Sequence, residues 1–331
     1  MKTVIATIAS IRPNIVWFLG LMIFLAYLSP QFGASSVVGL ASGVGFFIVF
    51  FCYGVGMSPA ILWNGLTNWK LHAVTQVTTF LIFPVIVLIV RYFFASCFTE
   101  EVWLGIFYVA VLPSTVSSSV VMVSIAGGNI SAAIFNASIS GIVGVFVTPI
   151  WMSLFIVGAV DTDNFSVINV IRDLVILIIL PLVFGMCCNK RFGNWLTANR
   201  KYLRYFDQSV ILLVVYASFS KSFSSNTFDG FAISQLTFIC VGMVLLFFCV
   251  YGTTLICCKI MRFNNTDTIT ALFCGSKKSL VHGITMSKII FAGMTNIGVL
   301  LLPIMLYHAL QLIVVSIIAK HFAATSKKNM P

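Results

Sequence analysis

Apolar runs of roughly 18–25 residues, the length a helix needs to cross ~30 Å of hydrocarbon, recur along this 331-residue chain between short polar breaks. The runs lack the period-two alternation of barrel strands, so they read as helices. Hydrophobic residues make up 60% of the chain and charged residues 8%, against about 25% charged in soluble domains. Mean hydropathy is +1.08. A water-soluble fold of this size could not bury so much apolar surface. The expected class is an all-α, multi-pass integral membrane protein in a lipid bilayer.

Spans are expected near 13–30, 38–57, 71–95, 102–125, 130–157, 168–188, 205–223, 231–257, 267–289 and 293–319. The first is flanked by Arg12 and Pro13 and lacks a short apolar core with a small-residue cleavage site, so it reads as retained. With ten spans, one side of the membrane takes both termini and thirteen of the nineteen Lys and Arg residues, including Lys70, Lys190, Arg191, Lys201, Lys259 and Arg262. The other side takes Arg91, Arg172, Lys221 and Lys288. The positive-inside bias therefore predicts cytoplasmic termini. The net charge of +11 follows from topology and attraction to anionic lipid, densest over 189–205. No loop exceeds about twenty residues, which leaves no water-exposed basic region for nucleic acid. The chain reads as one membrane domain, 1–331, and nothing in it sets an oligomeric state.

The nine cysteines lie mostly within or at the ends of apolar runs, without metal-ligand or CxxC spacing, and read as small packing residues. Spans one to five and six to ten have similar lengths and similarly placed interruptions, Pro113-Ser114 in the fourth and Gly275-Ser276 in the ninth. Because five is odd, a duplicated five-span unit enters the membrane from the opposite face, giving two inverted five-helix repeats.

Two polar clusters fall at mid-depth. The fourth span reads Leu112-Pro-Ser-Thr-Val-Ser-Ser-Ser119. Proline frees a carbonyl of the preceding turn, and Thr115, Ser117, Ser118 and Ser119 can satisfy backbone or hold a ligand. Three consecutive serines face three directions of a helix, which suits an unwound stretch; the competing reading is ordinary back-bonding or close helix packing. The ninth span reads Phe273-Cys-Gly-Ser-Lys-Lys-Ser279. A mid-membrane lysine costs ~2.5–3.5 kcal/mol on insertion scales. All eight acids fall in expected loops or near expected span ends, so the partners of Lys277 and Lys278 reduce to backbone carbonyls, an anionic ligand, or a neutral lysine. Gly275, Ser276 and Ser279 flank the pair. Lesser candidates are Thr75, Gln76, Thr78 and Thr79 in the third span; Asn136, Ser138 and Ser140 in the fifth; His282 beyond Lys278; and His308 with Gln311 in the tenth. His72 and His321 read as interfacial.

No phosphate loop, HExxH pair or GxSxG elbow occurs. A serine-lysine hydrolase dyad and a non-transporting regulatory protein on a transporter fold stand as the rival readings to transport. The expected class is not an enzyme.

The stretches Gly65-Leu-Thr-Asn-Trp-Lys-Leu-His72, Leu112 to Ser119, Gly128-Asn129 with the run to Thr148-Pro149, and Phe273 to Ser279 resemble the bile acid:sodium symporter superfamily, in its bacterial and vertebrate member 7-like branch. The resemblance implies panel helices over 13–57 and 168–223, core helices over 71–157 and 231–319, and broken, crossing helices 4 and 9. It also implies a small organic anion as partner and a bacterial inner membrane as the location. Carried over by position, the family's sodium-site serine-asparagine pair falls on Ser118 and Ser119. Its fifth-span hydroxyls fall near Ala133 and Ala137, with Ser138 beside them. Its ninth-span glutamate falls on Phe273, and its glutamine-asparagine pair on Lys277 and Lys278. No cofactor is expected except Na+, whose ligands would be Ser118, Ser119 and Ser138. The expected function is secondary transport of an organic anion, bile acid- or sterol-like or smaller, with the lysines replacing part of the sodium site. Sodium-coupled symport is the inherited alternative.

Overall fold

A computed structural model of the chain describes residues 15–57, 68–157, 166–225, 233–294 and 296–328. Arg12, Pro13, Gly65, Asp161, Asp163 and Asp229 lie outside them, as do the side chains of Ser117, Arg200, Arg204, Lys327 and Lys328. Every regular element among the described residues is helical, and the α-helices of eight residues or more are numbered here.

In chain order these are α1 (Ile15–Leu28), α2 (Ser36–Gly56), α3 (Trp69–Val77), α4 (Phe83–Phe94), α5 (Glu100–Val111), α6 (Ser117–Ala126), α7 (Ile130–Val157), α8 (Val167–Leu174), α9 (Leu180–Cys187), α10 (Asn189–Ala198), α11 (Arg200–Ser224), α12 (Ile233–Ile260), α13 (Asn265–Gly275), α14 (Leu280–Ile290) and α15 (Ile297–Lys328). Wider π-helical turns, Thr78–Ile82 and Val175–Ile179, join α3 to α4 and α8 to α9. Six helical runs among the described residues are long and apolar enough to cross a membrane: Ser36–Gly56, Trp69–Cys97, Ile130–Ile156, Val167–Cys187, Gln235–Ile260 and Ile297–Ala324. Large apolar side chains such as Trp17, Ile168 and Phe238 lie on the outer surface, as lipid rather than water would require.

Local chemistry sets the helix ends. The Thr99 hydroxyl accepts the Val102 N–H, and Glu100 and Glu101 lie in the positive first turn of α5. Asn264 caps α13 through the Asp267 N–H at 2.8 Å, and Ser279 caps α14 through the His282 N–H. Gly127 ends α6 with φ of 77°, a conformation that favours glycine. Pro84 and Pro181 each follow one of the π turns. Proline frees the carbonyl four residues back; for Pro84 this is Phe80, whose carbonyl accepts the Trp151 indole N–H at 2.8 Å.

Helices α1, α2, α9 and α11 pack on one another, and α3–α7 pack with α12, α13 and α15. In the first group α2 and α9 meet through glycines. A Cβ on Gly54 would lie 1.9 Å from the Leu182 carbonyl oxygen, and one on Gly185 would lie 2.1 Å from that of Phe51.

The basic segment 189–205 is largely helical: α10 fills most of it, tied down by the Asn189 amide on the Val55 carbonyl at 2.7 Å. Three expectations are corrected. His72 is buried, not interfacial, because its ring packs on Phe135 with centroids 4.3 Å apart. Asp207 lies inside α11 and is buried, so not every acid sits near a span end or in a loop. Of the cysteines, Cys97, Cys187 and Cys249 are exposed rather than packed, whereas Cys258 and Cys274 are buried.

Candidate functional site

Helix α5 stops at Val111 and α6 starts at Ser117; α13 stops at Gly275 and α14 starts at Leu280. In an apolar interior each unpaired backbone group costs several kcal/mol, so the two gaps must find partners, and they find them in each other. The Ser279 N–H donates to the Pro113 carbonyl at 2.9 Å. The Ser114 hydroxyl donates to the Cys274 carbonyl at 2.6 Å, and Ser119 reaches the Phe273 carbonyl at 3.5 Å. Neighbouring helices complete the set. Ser140 accepts the Ser114 N–H, Thr148 donates to the Val111 carbonyl, and Tyr307 donates to the Ser276 carbonyl. Ser276 also donates to the Leu272 carbonyl at 2.6 Å. Gln311 bridges both sides of one residue: its Oε1 accepts the Lys278 N–H and its Nε2 donates to the Lys278 carbonyl, each at 2.8 Å.

The two lysines, both wholly buried, are held differently. Lys278 Nζ donates to the carbonyls of Thr79, Ala110 and Leu112 at 2.8, 2.6 and 2.8 Å. An ammonium has three donors, and all three are used. The Phe83 ring lies 4.1 Å from the same nitrogen, a cation–π contact strengthened by desolvation. Two of the carbonyls belong to the carboxyl end of α5, where the helix dipole favours a cation. Of the three partners considered for these lysines, the backbone is the one Lys278 has. Lys277 Nζ makes one hydrogen bond, to the Ser118 hydroxyl at 2.7 Å, and Ser118 in turn meets the Thr115 hydroxyl at 2.8 Å. Neither lysine has a carboxylate partner among the described residues.

Thr115, Ser118, Ser279, His282 and His308 share a cavity of about 780 Å³ with Phe18, Tyr53, Lys201, Tyr205 and Asp207. The cavity thus lies between α1, α2 and α11 on one side and the two gaps with α15 on the other. Within it His282 Nδ1 pairs with the Ser279 hydroxyl at 2.9 Å, and His308 Nδ1 with the Gln311 amide at 2.8 Å.

Other predicted residues stand behind this wall. Ser119, Ser140, Gly275, Ser276 and Lys278 hold the gaps together, and Thr79 donates to the Thr75 carbonyl while its own carbonyl takes Lys278. Asn136 faces Gln76 and is not part of the cavity wall. The Ser138 hydroxyl is buried without a hydrogen-bond partner among the described residues. The serines are not in an unwound stretch: the irregular backbone is 112–116, and the chain is α-helical from Ser117. Hydrogen bonding of the freed groups by Lys278 and Ser279 leaves no need to unwind further. Sequence reasoning missed Tyr53 and Asp207, although a carboxylate within an apolar span is itself a signal.

Residues 14–324 match the SBF-like CPA transporter family. The chain is 33% identical to the uncharacterized protein PA2026 of Pseudomonas aeruginosa over 91% of its own length and 90% of that protein's. It is 32% identical to YfeH of Escherichia coli K12, covering 83% and 82%. It is 30% identical to sodium/bile acid cotransporter 7 of Rattus norvegicus, covering 82% and 79%. With its run of apolar helices and a match over nearly its whole length, the chain is a membrane transporter, not an enzyme, and belongs to the SBF-like CPA transporter family.

Proposed function

We propose that this protein is a secondary transporter that moves an organic anion by alternating access, with Lys277 and Lys278 taking part of the place expected for sodium in the sodium-binding members of the superfamily it resembles. The observation that carries this is the pair of buried ammonium groups at the meeting of the two helix gaps, one closed on three carbonyls and the other on the Ser118 hydroxyl beside the cavity. Fixed positive charge just behind the cavity wall attracts an anion without a co-transported cation. Ser118, a position where a sodium ligand is expected, already accepts from the Lys277 ammonium, and an added monovalent cation there would meet like charge. The residues present therefore do not suit sodium. The name of the rat relative, a sodium/bile acid cotransporter, supports an organic anion as the cargo class.

Ten spans in two inverted five-helix repeats give the alternating-access frame. Joining α5 to α6 and α13 to α14 across their gaps, and adding α1 and α11, extends the six long apolar runs to ten segments. The gaps then fall in the fourth segment of each half, the placement expected of broken, crossing helices in an inverted repeat. The closer packing of α1, α2, α9 and α11 on one another than on the remainder, which α11 meets through α14 and α15, supports a panel moving against a core. Lys201 and Tyr205, at the start of α11, mark one end of the cavity. By the positive-inside rule that end is cytoplasmic, so the cavity corresponds to an inward-open state with both termini in the cytoplasm.

The test is uptake by proteoliposomes of a panel of bile acids, sulfated steroids and short organic acids, with sodium replaced by choline. Undiminished uptake in choline is expected. Strict sodium dependence would return the inherited symport mechanism, and absence of flux for every anion would remove the transport reading.

A further inference from the structure

Asp207 is the acidic side chain facing the cavity among the described residues. It lies in α11 on the wall opposite the gaps, and is 8% exposed. Its Oδ2 accepts the Tyr53 hydroxyl at 3.1 Å. Its Oδ1 is buried without a hydrogen-bond partner among the described residues, and no described cationic group makes an ion pair with it. A carboxylate offers about four acceptor sites, and here one is used. Burying a charge this incompletely satisfied costs several kcal/mol, a cost that a cationic group on an occupant would offset. Asp207 lines the cavity, and a turn of its carboxylate about the last side-chain bond, a soft torsion, would present the unpaired oxygen to a donor carried by the cavity's occupant.

The two walls are chemically opposite. On the gap side stand hydroxyls and imidazoles, Thr115, Ser118, Ser279, His282 and His308, with the Lys277 ammonium directly behind Ser118. On the α11 side stands, opposite them, the Asp207 carboxylate steadied by the Tyr53 phenol, with Lys201 toward one end of the cavity. An occupant bearing negative charge alone would satisfy the first wall and be repelled by the second. We infer that the transported organic anions also carry an amino group, an anionic group toward Ser118 and Lys277 and an ammonium toward Asp207. This zwitterionic substrate class rests on the organic-anion reading above and narrows it. A volume of about 780 Å³ admits such molecules with room for an apolar side chain, within the usual size range of ligand pockets. Because Asp207 and Ser118 lie on helices of the two different packing groups, an occupant spanning both would draw the walls together, and a plain acid would not.

The experiment is a thermal-stability screen of the purified full-length protein with matched pairs: taurine against ethanesulfonate, 4-aminobutyrate against butyrate, and phenylalanine against 3-phenylpropionate. At least one amine-bearing member is expected to stabilise the wild-type protein at a concentration roughly tenfold below its partner, and Asp207→Asn should abolish that difference. Tyr53→Phe, which removes the phenolic donor and keeps the carboxylate, should preserve it, as should Asp207→Glu if the asparagine variant does not fold. The inference is overturned if no pair separates in the wild-type protein, or if separation survives Asp207→Asn. When both members of a pair bind equally and Lys277→Met weakens both, the substrate class falls and the anion-transport reading stands. When no acid of either kind binds, both fall.

Discussion

The backbone N–H of Ser279 donates to the carbonyl of Pro113 across 2.9 Å, joining two helix interruptions that lie 166 positions apart in the chain. Each interruption supplies what the other lacks. A helix end exposes carbonyls without donors and a helix start exposes N–H groups without acceptors. Bringing a carboxyl end against an amino end in an apolar medium satisfies both without water. The geometry separates the two lysines into one closed on backbone carbonyls and one held behind the cavity wall by Ser118, and the predictions follow that division.

Lys278→Met should damage the fold. It leaves the carbonyls of Thr79, Ala110 and Leu112 without their shared donor, at about 1–3 kcal/mol for each buried group left unsatisfied. Three such groups come to about 3–9 kcal/mol, so melting of the purified variant should drop by about 6 °C or more at roughly 2–4 °C per kcal/mol. A melting temperature equal to that of the wild type would contradict the assignment.

Lys277→Met should spare the fold and remove function. Its nitrogen has one side-chain partner, Ser118, and methionine fills a similar volume with an unbranched stem. Melting should stay close to wild type while anion uptake falls by about tenfold or more, the loss of some 1.4 kcal/mol of binding. Uptake at the wild-type rate would separate Lys277 from transport.

Gln311→Leu removes the side chain that accepts from and donates to the backbone of Lys278. Two backbone groups then lie buried and unpaired, a cost of about 2–6 kcal/mol by the same scale. Gln311→Glu retains the acceptor and loses the donor, so its melting temperature should fall between the two. Equal melting of all three proteins would mean that the bridge does not hold the gap.

Gly54→Ala and Gly185→Ala should each force α2 and α9 apart, since the new methyl would meet backbone oxygen at 1.9 and 2.1 Å. Backbone cannot yield as a side chain can, and overpacking of this kind costs about 1–3 kcal/mol. Gly39→Ala, where nothing lies within 4 Å, is the control and should melt like the wild type or slightly higher.

The places where helices stop were legible because their causes are local. Pro113 removes a donor within its own helix, and Gly275 precedes Ser276 where α13 ends; both effects act within one turn. The importance of Lys277 and Lys278 was legible for the same reason, since the cost of a cation in hydrocarbon belongs to the residue and its depth. The extent of unwinding was not. Ser117 to Ser119 suit an irregular stretch by composition, yet Lys278 and Ser279, from the other half of the chain, satisfy the freed groups, and the helix resumes at Ser117. Asp207 was passed over because it sits three residues into an expected span, while its burial depends on Tyr53, 154 positions away.

Hydropathy summed over some twenty neighbouring residues decides whether a segment enters the membrane, so the helical membrane class could be read directly from order and composition, and four stretches of residues sufficed for the family resemblance. Which lysine is locked on carbonyls and which stands against Ser118, and that a carboxylate faces them across a cavity, were decided by tertiary structure alone. The reason is that a buried charge is stabilised by partners within about 3 Å, and those partners come from helices whose meeting is set by packing, not by their neighbours in the chain.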